Sequence, residues 1–279
     1  NNLKDLASFL ERMGVDIVST GGTASYLKKA GFKAKEVSDL TGFPEILNGR
    51  VKTLHPKVHA PILFDRDDAA SAKELKKMGS KAIDLIVVNL YPFETILQRK
   101  APKKDIIENI DIGGVALMRA AAKNFEHVMV ISDPGDYIEL KKELTKFKGC
   151  TRRKTRKFFA GKAFSQTSYY DQLITRWFLS KKQLGSINSR IFGGTSEKAL
   201  RYGENPHQKA LYLNIPNQGR KIKHLVNIVR GTLSYNNLID ATAAYKILCE
   251  LEDYKKASCV IIKHGNPCGV EIGDNVSAA

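Results

Sequence analysis

The stretch VDIVSTGGTASYLKKAG, residues 15–31, indicates the fold class of this chain. Val15–Val18 is a short apolar run typical of a buried strand, and Ser19–Thr23 is a glycine-containing turn. Ala24–Ala30 has helical spacing, and Gly31 is placed to end that helix. A strand, a glycine turn and a helix in this order are the unit of an α/β fold. The same alternation recurs later in the chain, so we predict a mostly parallel sheet.

The pattern changes beyond residue 150, where apolar positions over Thr151–Leu179 suit long helices. Gly185–Ser196 is rich in Gly, Ser and Asn and is the best candidate linker. After it the pattern restarts, with a strand at Leu211–Leu213, a helix at Ala241–Leu251 and a strand at Cys259–Ile262. We therefore predict two domains, residues 1–184 with a helical extension over 151–184, and residues 185–279.

Composition is that of a folded protein, with 279 residues, 43% hydrophobic and 27% charged. No apolar run approaches the roughly 18 to 20 residues needed to cross a bilayer, and no secretory leader opens the chain. The four cysteines form no CxxC pair, which favours free thiols in a reducing, cytoplasmic setting. Because the chain begins on a helix without Met and stops soon after a motif, we expect a fragment.

Basic residues give the chain a formal charge of +16, and residues 141–162 hold ten of them against Glu143 alone. One interpretation is a patch that binds nucleic acid or another polyanion. The other is the solvated face of helices. Aromatic residues do not alternate with the charges as base stacking would require, so we favour the solvated face.

Two segments carry groups suited to phosphate. In Ser19–Thr23, backbone N–H groups, hydroxyls and a helix N-terminus converge, which suits a phosphate monoester. In Arg50–Pro56, Arg50 and Lys52 would project two cations on one side of an extended segment, beside the Thr53 hydroxyl. His55 and His59 have metal-like spacing, but Pro56 opposes a regular helix and no third ligand follows, so we predict no metal site.

Polar and titratable groups lie in five further motifs. Asn89–Phe93 follows a strand end, where open parallel sheets bind ligands, and Asn109–Gly114 brings a carboxylate to a helix start. Lys123 follows three alanines and is either functional or a helix-end charge. Arg201–Gln208 is dense in polar groups, and Cys259–Gly269 presents Lys263 and His264 together at a strand end. A zinc-deaminase site is excluded there because the required Glu and second Cys are absent.

Taken in order, these motifs resemble a bifunctional purine-biosynthesis enzyme family that joins AICAR transformylase to IMP cyclohydrolase. The resemblance runs through Ser19–Thr23, Gly49–Pro56, Asn89–Phe93, Ile110–Gly114, Ala122–Asn124, Arg201–Gln208 and Lys263–Gly269. It implies a methylglyoxal-synthase-like cyclohydrolase domain followed by the start of a cytidine-deaminase-like transformylase domain. It also implies a cytoplasmic homodimer that acts on AICAR, formyl-AICAR and IMP. 10-Formyltetrahydrofolate is then a cosubstrate, with no tightly bound cofactor, no metal, no membrane and no nucleic-acid partner.

The resemblance also implies roles for individual residues. In ring closure, Lys123 and Asp111 would handle protons, while Lys52 and Tyr91 would stabilise the oxyanion. In formyl transfer, His264 would accept the amine proton and Lys263 would steady the developing charge. The remaining positions would bind substrate: Ser19, Thr20, Gly21, Gly22, Thr23, Arg50, Thr53, Asn89, Ile112 and Gly113 in the first domain, and Arg201 and Tyr202 in the second.

Three departures from the family pattern limit these expectations. The family's opening strand and phosphate loop would precede Asn1, and His59-Ala60-Pro61 replaces a histidine followed by two glycines. The family's transformylase domain also continues far beyond Ala279. We therefore expect incomplete formyl transfer. The alternatives are a polyanion-binding protein and a nucleotide-binding fragment without catalysis.

Overall fold

The computed structural model describes residues 2–179, 183, 193–214 and 232–279. It divides into two compact units, Asn1–Arg190 and Ile191–Ala279. The predicted domain boundary at 184 lies outside the described residues, as does most of the predicted linker. None of the helices in the described ranges combines the length and apolarity needed to cross a membrane.

The first unit alternates helices and short strands, as predicted. Its helices are α1 Leu3–Arg12, α2 Gly21–Lys29, α3 Val37–Thr41, α4 Pro56–Leu63, α5 Ala69–Lys77, α6 Phe93–Gln98, α7 Lys103–Glu108, α8 Gly113–Lys123, α9 Tyr137–Lys146 and α10 Arg153–Phe178. Its strands are β1 Ile17–Ser19, β2 Ala34–Glu36, β3 Leu85–Val87 and β4 Met129–Ile131.

The strands of the first unit pair in parallel, which confirms the predicted parallel arrangement. β1 pairs with β2 and β3 pairs with β4, with Ile17 opposite Ala34 and Leu85 opposite Met129. The described strands form two separate two-stranded sheets rather than the continuous sheet that the alternation predicted. Each of these strands is three residues long, shorter than the roughly five to six residues that are usual in globular proteins.

A hydrophobic core surrounds β4, whose residues are all at most 1% exposed. Such burial on both faces is typical of a parallel strand covered by helices. α1, α8, α9 and α10 contribute Leu6, Met118, Leu140 and Phe159 to this core. A second cluster contains Phe93, Ile106, Tyr170 and Leu173. α10 therefore packs its first half into one cluster and its second half into the other.

The segment from Ser38 to His59, whose polar and turn residues are typical of a long loop, is partly helical. α3 ends at Gly42, which has a left-handed φ of 70°. α4 begins at Pro56, so the sequence argument that Pro56 opposes a helix was wrong. Proline is favoured at the first helical position, where no N–H partner exists. His55 is the N-cap, and its Nδ1 accepts the Lys57 N–H at 3.1 Å.

The second unit contains two antiparallel pairs and one long helix. Its elements are β5 Thr195–Ala199, β6 Leu211–Asn214, α11 Tyr235–Glu250, β7 Ala257–Lys263 and β8 Asn266–Gly273. α11 begins six residues before the predicted start because Ser234 and Asn237 form a capping box. β8 was missed because Pro267 and Gly269 are poor strand formers, yet they pair with Ile262 and Ile261.

Candidate functional site

A cavity of about 830 Å³ opens in the first unit between α4, α8, α10 and residues 110–112. Its volume falls in the range of small-molecule sites, roughly 300 to 1,000 Å³. The predicted residues Asp111, Ile112 and Lys123 all line it, as does His59. The structure therefore brings the predicted carboxylate and the predicted lysine to one cavity.

Asp111 is held at the start of α8 by backbone hydrogen bonds. Its Oδ1 accepts the Gly114 N–H at 2.7 Å. A Cβ on residue 114 would lie 2.5 Å from Asp111 Oδ2, so this approach requires glycine. Burial raises the pKa of the Asp111 carboxyl, and hydrogen bonds from the backbone of Gly114 and Tyr91 oppose the rise, as does the nearby charge of Lys52. A fixed carboxyl with a raised pKa is suited to exchanging protons.

The two predicted phosphate segments meet through a residue that sequence reasoning missed, Glu45. Its Oε1 accepts the backbone N–H of Gly21 at 3.3 Å, at the N-terminus of α2. Its Oε2 lies 3.6 Å from the Nζ of Lys52. The start of α2, within the predicted segment Ser19–Thr23, and the segment around Lys52 are thus joined by one carboxylate.

The same segment also contacts the start of α8. Thr53 is buried, and a Cβ on Gly113 would lie 2.5 Å from its Oγ1. The Lys52-Thr53 pair therefore lies between the α2 turn and the cavity wall that carries Asp111. Thr20 is the N-cap of α2, and its side chain makes no capping hydrogen bond. The hydroxyl of Thr20 is accordingly available to a ligand at that helix end.

Two predicted binding residues are engaged within the chain. The guanidinium of Arg50 forms an ion pair with Glu108, and its Nε donates at 3.2 Å. The amide of Asn89 donates to the hydroxyl of the buried Tyr137 at 3.2 Å. To contact a substrate, either side chain would have to break its present hydrogen bond or use another of its N–H groups. Their binding roles stay predictions.

His59 is a second residue that the sequence did not identify as functional. It lines the cavity, and its Nε2 is buried with no hydrogen-bond partner among the described residues. Burial lowers its pKa, and a hydrogen bond with the Thr53 backbone opposes that shift. A buried polar atom without a partner is rare in folded proteins. His59 is therefore neutral near pH 7, and its Nε2 is an unpaired polar atom in the wall of the cavity.

The motifs of the second unit both contact the first turns of α11. β7 ends at Lys263, as predicted, and His264 and Gly265 form the hairpin turn with positive φ values of 56° and 75°. The Gly265 N–H donates to Asp240 at 2.7 Å. Arg201 donates to the hydroxyl of Tyr202 at 2.8 Å, and the Tyr202 carbonyl accepts the Tyr235 N–H. Lys263 and His264 are exposed at this turn.

Three residues that could ligate a metal lie close together, two in the loop before α5 and one in the loop after α8. Asp65, Asp67 and His127 place one ligand atom each within 4.8 Å of one another. His127 Nε2 is 3.3 Å from Asp65 and 3.6 Å from Asp67, as expected for an ordinary ion pair. Both carboxylates are exposed to solvent. No predicted site residue belongs to this cluster.

Comparison with protein families settles the relationship. An MGS-like domain model matches residues 2–116, and the model of the AICARFT/IMPCHase bienzyme matches residues 121–279, more than half of the chain. This chain belongs to the AICARFT/IMPCHase bienzyme family. The family and the order of its domains, an MGS-like region followed by a bienzyme region, are those that the motifs predicted.

Relatives in the family are long proteins of which this chain is similar to one part. It is 46% identical over 277 residues to the bifunctional purine biosynthesis protein PurH of Bradyrhizobium diazoefficiens, covering 99% of this chain and 52% of the relative. PurH of a Thermoanaerobacter species is 43% identical, covering 98% and 53%. The chain spans about half the length of the curated relatives it matches.

One solved structure is similar in fold to part of this chain. The crystal structure of ForH matches with a TM-score of 0.55 and 34% sequence identity, and it covers 64% of this chain and 94% of that chain. This likeness extends to the path of the backbone as well as to the sequence.

Proposed function

We propose that this chain acts in the last two steps of de novo purine biosynthesis and that its first unit closes formyl-AICAR to IMP with loss of water. The observation that carries the proposal is the cavity in which Asp111 and Lys123 face one ligand space, with Lys52 near enough to influence Asp111. Membership in the bienzyme family supports the same reaction.

Ring closure requires the carboxamide nitrogen to lose a proton as it attacks the formyl carbon. We assign the proton transfers to Lys123 and Asp111, which line the cavity. The formyl oxygen becomes anionic and later leaves as water. Lys52 and Tyr91 would stabilise that oxygen, because the charge of Lys52 acts on the Asp111 carboxyl and the backbone of Tyr91 donates to it. Since both reacting groups belong to one substrate, positioning would supply much of the acceleration.

The nucleotide phosphate would bind at the N-terminus of α2. Gly21, Gly22 and Thr23 form its first turn, and Lys52 lies across from it through Glu45. Helix N-termini attract anions, and a phosphate there would replace the Glu45 carboxylate. The ribose would then extend toward Thr53 and Gly113, and the base toward the cavity.

For the second unit we propose a part in formyl transfer from 10-formyltetrahydrofolate to AICAR, with His264 as base and Lys263 as charge stabiliser. The observation that favours it is the attachment of both motifs, Arg201-Tyr202 and Lys263-His264, to one end of α11. Folate would act as a diffusing cosubstrate without a tightly bound cofactor. We also propose a cytoplasmic homodimer, on the support of family membership.

The polyanion-binding alternative is weakened by the contacts of the basic segment. Arg152 donates to Glu143 at 2.7 Å, and Arg153, Lys141 and Lys162 pair with carboxylates as well. Arg156 donates to backbone carbonyls. Cations neutralised within the protein contribute little to binding of an external phosphate backbone.

The test is to add formyl-AICAR to the purified chain and to follow IMP formation, with IMP and RNA binding measured at increasing salt. We expect cyclisation, and IMP binding that weakens less steeply with salt than RNA binding. Tight, salt-sensitive RNA binding without cyclisation would contradict the proposed function and favour the polyanion alternative.

A further inference from the structure

A tyrosine on α10 contacts the backbone of the proposed active-site loop. The Tyr170 hydroxyl accepts the backbone N–H of Asp111 at 2.8 Å and donates to the carbonyl of Asn109 at 2.9 Å. Both partners are about 60 positions away in sequence, so these two bonds attach the loop to a distant helix. One hydroxyl therefore fixes the backbone on both sides of Ile110.

The ring of Tyr170 is itself rigidly held. The residue is 5% exposed and belongs to the second hydrophobic cluster with Phe93 and Leu173. Its ring contacts the Phe93 ring edge to face, with centroids 5.9 Å apart. Burial raises the pKa of Tyr170 to about 12, so the hydroxyl stays protonated and can donate and accept at once.

The remaining contacts of Asp111 depend on this anchoring. With its N–H bound to Tyr170, Asp111 turns its carboxylate onto the backbone N–H groups of Gly114 and Tyr91, within reach of the charge of Lys52. The Asp111 loop has no strand or helix of its own between α7 and α8. Without the hydroxyl, the Asp111 carboxyl would keep its hydrogen bonds from the backbone of Gly114 and Tyr91, but the Asp111 N–H would lose its acceptor.

We propose that Tyr170 is a positioning residue whose hydroxyl holds Asp111 in place for proton transfer. The expected effect on catalysis rests on the proposed ring closure. The anchoring of the Asp111 backbone rests on the hydrogen bonds alone. Nothing in the motifs of the sequence pointed to Tyr170, which lies within the predicted helical extension.

The test compares Tyr170→Phe with a matched control, Tyr169→Phe. Tyr169 is the adjacent residue on α10, and its hydroxyl donates to Glu94 at 2.9 Å, away from Asp111. Each variant keeps its ring and loses one hydroxyl that donates a partly buried hydrogen bond. Two quantities are measured on the full chain: kcat and KM for ring closure, and amide hydrogen exchange of Asp111 in the free protein.

We expect Tyr170→Phe to lower kcat at least about tenfold with KM within about threefold, as loss of a transition-state arrangement predicts. Asp111 exchange should accelerate at least about tenfold in the same variant, because its N–H loses its acceptor. Tyr169→Phe should match the wild type in both.

Equal kcat values and unchanged Asp111 exchange in the two variants would overturn the proposal. A fall in kcat with unchanged exchange would overturn it too, because the hydroxyl would then act on the substrate directly. If the wild-type chain does not cyclise formyl-AICAR, the proposed function fails. Selective acceleration of Asp111 exchange would in that case still support the positioning role.

Discussion

The backbone N–H of Gly21 donates to the carboxylate of Glu45 at 3.3 Å, although the two residues are separated by a strand and two helices. The carboxylate thereby occupies the end of α2 that attracts anions, and it also lies 3.6 Å from Lys52. The protein supplies its own anion where the proposed substrate would place its phosphate. Ligand binding there is then an exchange of one anion for another.

Glu45→Gln should therefore strengthen binding of IMP. Removing the competing charge at a helix N-terminus is worth about 0.3 to 1 kcal/mol, which corresponds to a roughly two- to fivefold lower Kd. Isothermal titration would measure it. Glu36→Gln is the control, because it also removes one negative charge and Glu36 forms an ion pair with Lys28 on the surface. Weaker IMP binding by Glu45→Gln would show that Glu45 holds the ligand rather than competing with it.

Lys123→Ala should abolish ring closure while changing IMP binding by less than about tenfold, as expected of a group that moves protons. Lys123 lies in the last turn of α8, where a cation also stabilises the helix. Lys146→Ala provides the matched control, because Lys146 occupies the last turn of α9. IMP formation is followed in both variants. Normal cyclisation by Lys123→Ala would remove Lys123 from the mechanism.

His59 should make the folded protein sensitive to mild acid. Its pKa is lowered by burial, so the unfolded chain takes up the proton first as pH falls below the ordinary histidine value of about 6.5. The free energy of unfolding should drop between pH 7.5 and pH 5, and it should drop less in His59→Gln. Urea denaturation at the two pH values measures this, with His207→Gln correcting for loss of an imidazole. Identical pH dependence in wild type and His59→Gln would contradict the assignment.

Glu143→Gln should destabilise the first unit near neutral pH. Hydrogen bonds from Arg152 lower the pKa of Glu143 to about 2, so its contribution is present above about pH 4.5 and is lost as pH falls toward 2. We expect a loss of about 2 kcal/mol at pH 7, because Arg152 is partly exposed and its attraction is screened. Urea unfolding at pH 7 and pH 2 would test this.

Glu139→Gln on the same helix is the control for Glu143→Gln. Glu139 is exposed and pairs with Lys142 at a distance of 3.9 Å, so its loss should change stability by less than about 0.5 kcal/mol. Equal effects of the two substitutions would mean that the ion pair of the buried Glu143 stabilises the fold no more than the exposed pair of Glu139.

Local sequence patterns predicted what depends on neighbours along the chain. The strand before Ser19, the glycine-opened α8 and the position of Lys263 at a strand end all follow from periodicity and turn residues. Motif order also predicted the family. The start of α4 was missed because Pro56 was read as a helix breaker, although at the first helical position proline favours a helix.

Contacts between distant segments could not be predicted in this way. Glu45 bonds to a residue 24 positions away and Tyr170 to one 59 positions away, and neither carries a pattern of its own. His59 was considered for metal binding because of its spacing from His55, whereas its significance comes from the cavity it lines. Such assignments require tertiary structure, because packing alone decides which polar atoms lack partners.

The packing of α10 has a consequence for how the first unit comes apart. Its first half contributes Phe159, Ala160 and Ala163 to one hydrophobic cluster, and its second half contributes Tyr170 and Leu173 to the other. Neither cluster can lose this helix without exposing apolar surface in its neighbour. The two clusters should consequently melt in one cooperative step, and the slowest-exchanging amides of both should share a single opening free energy.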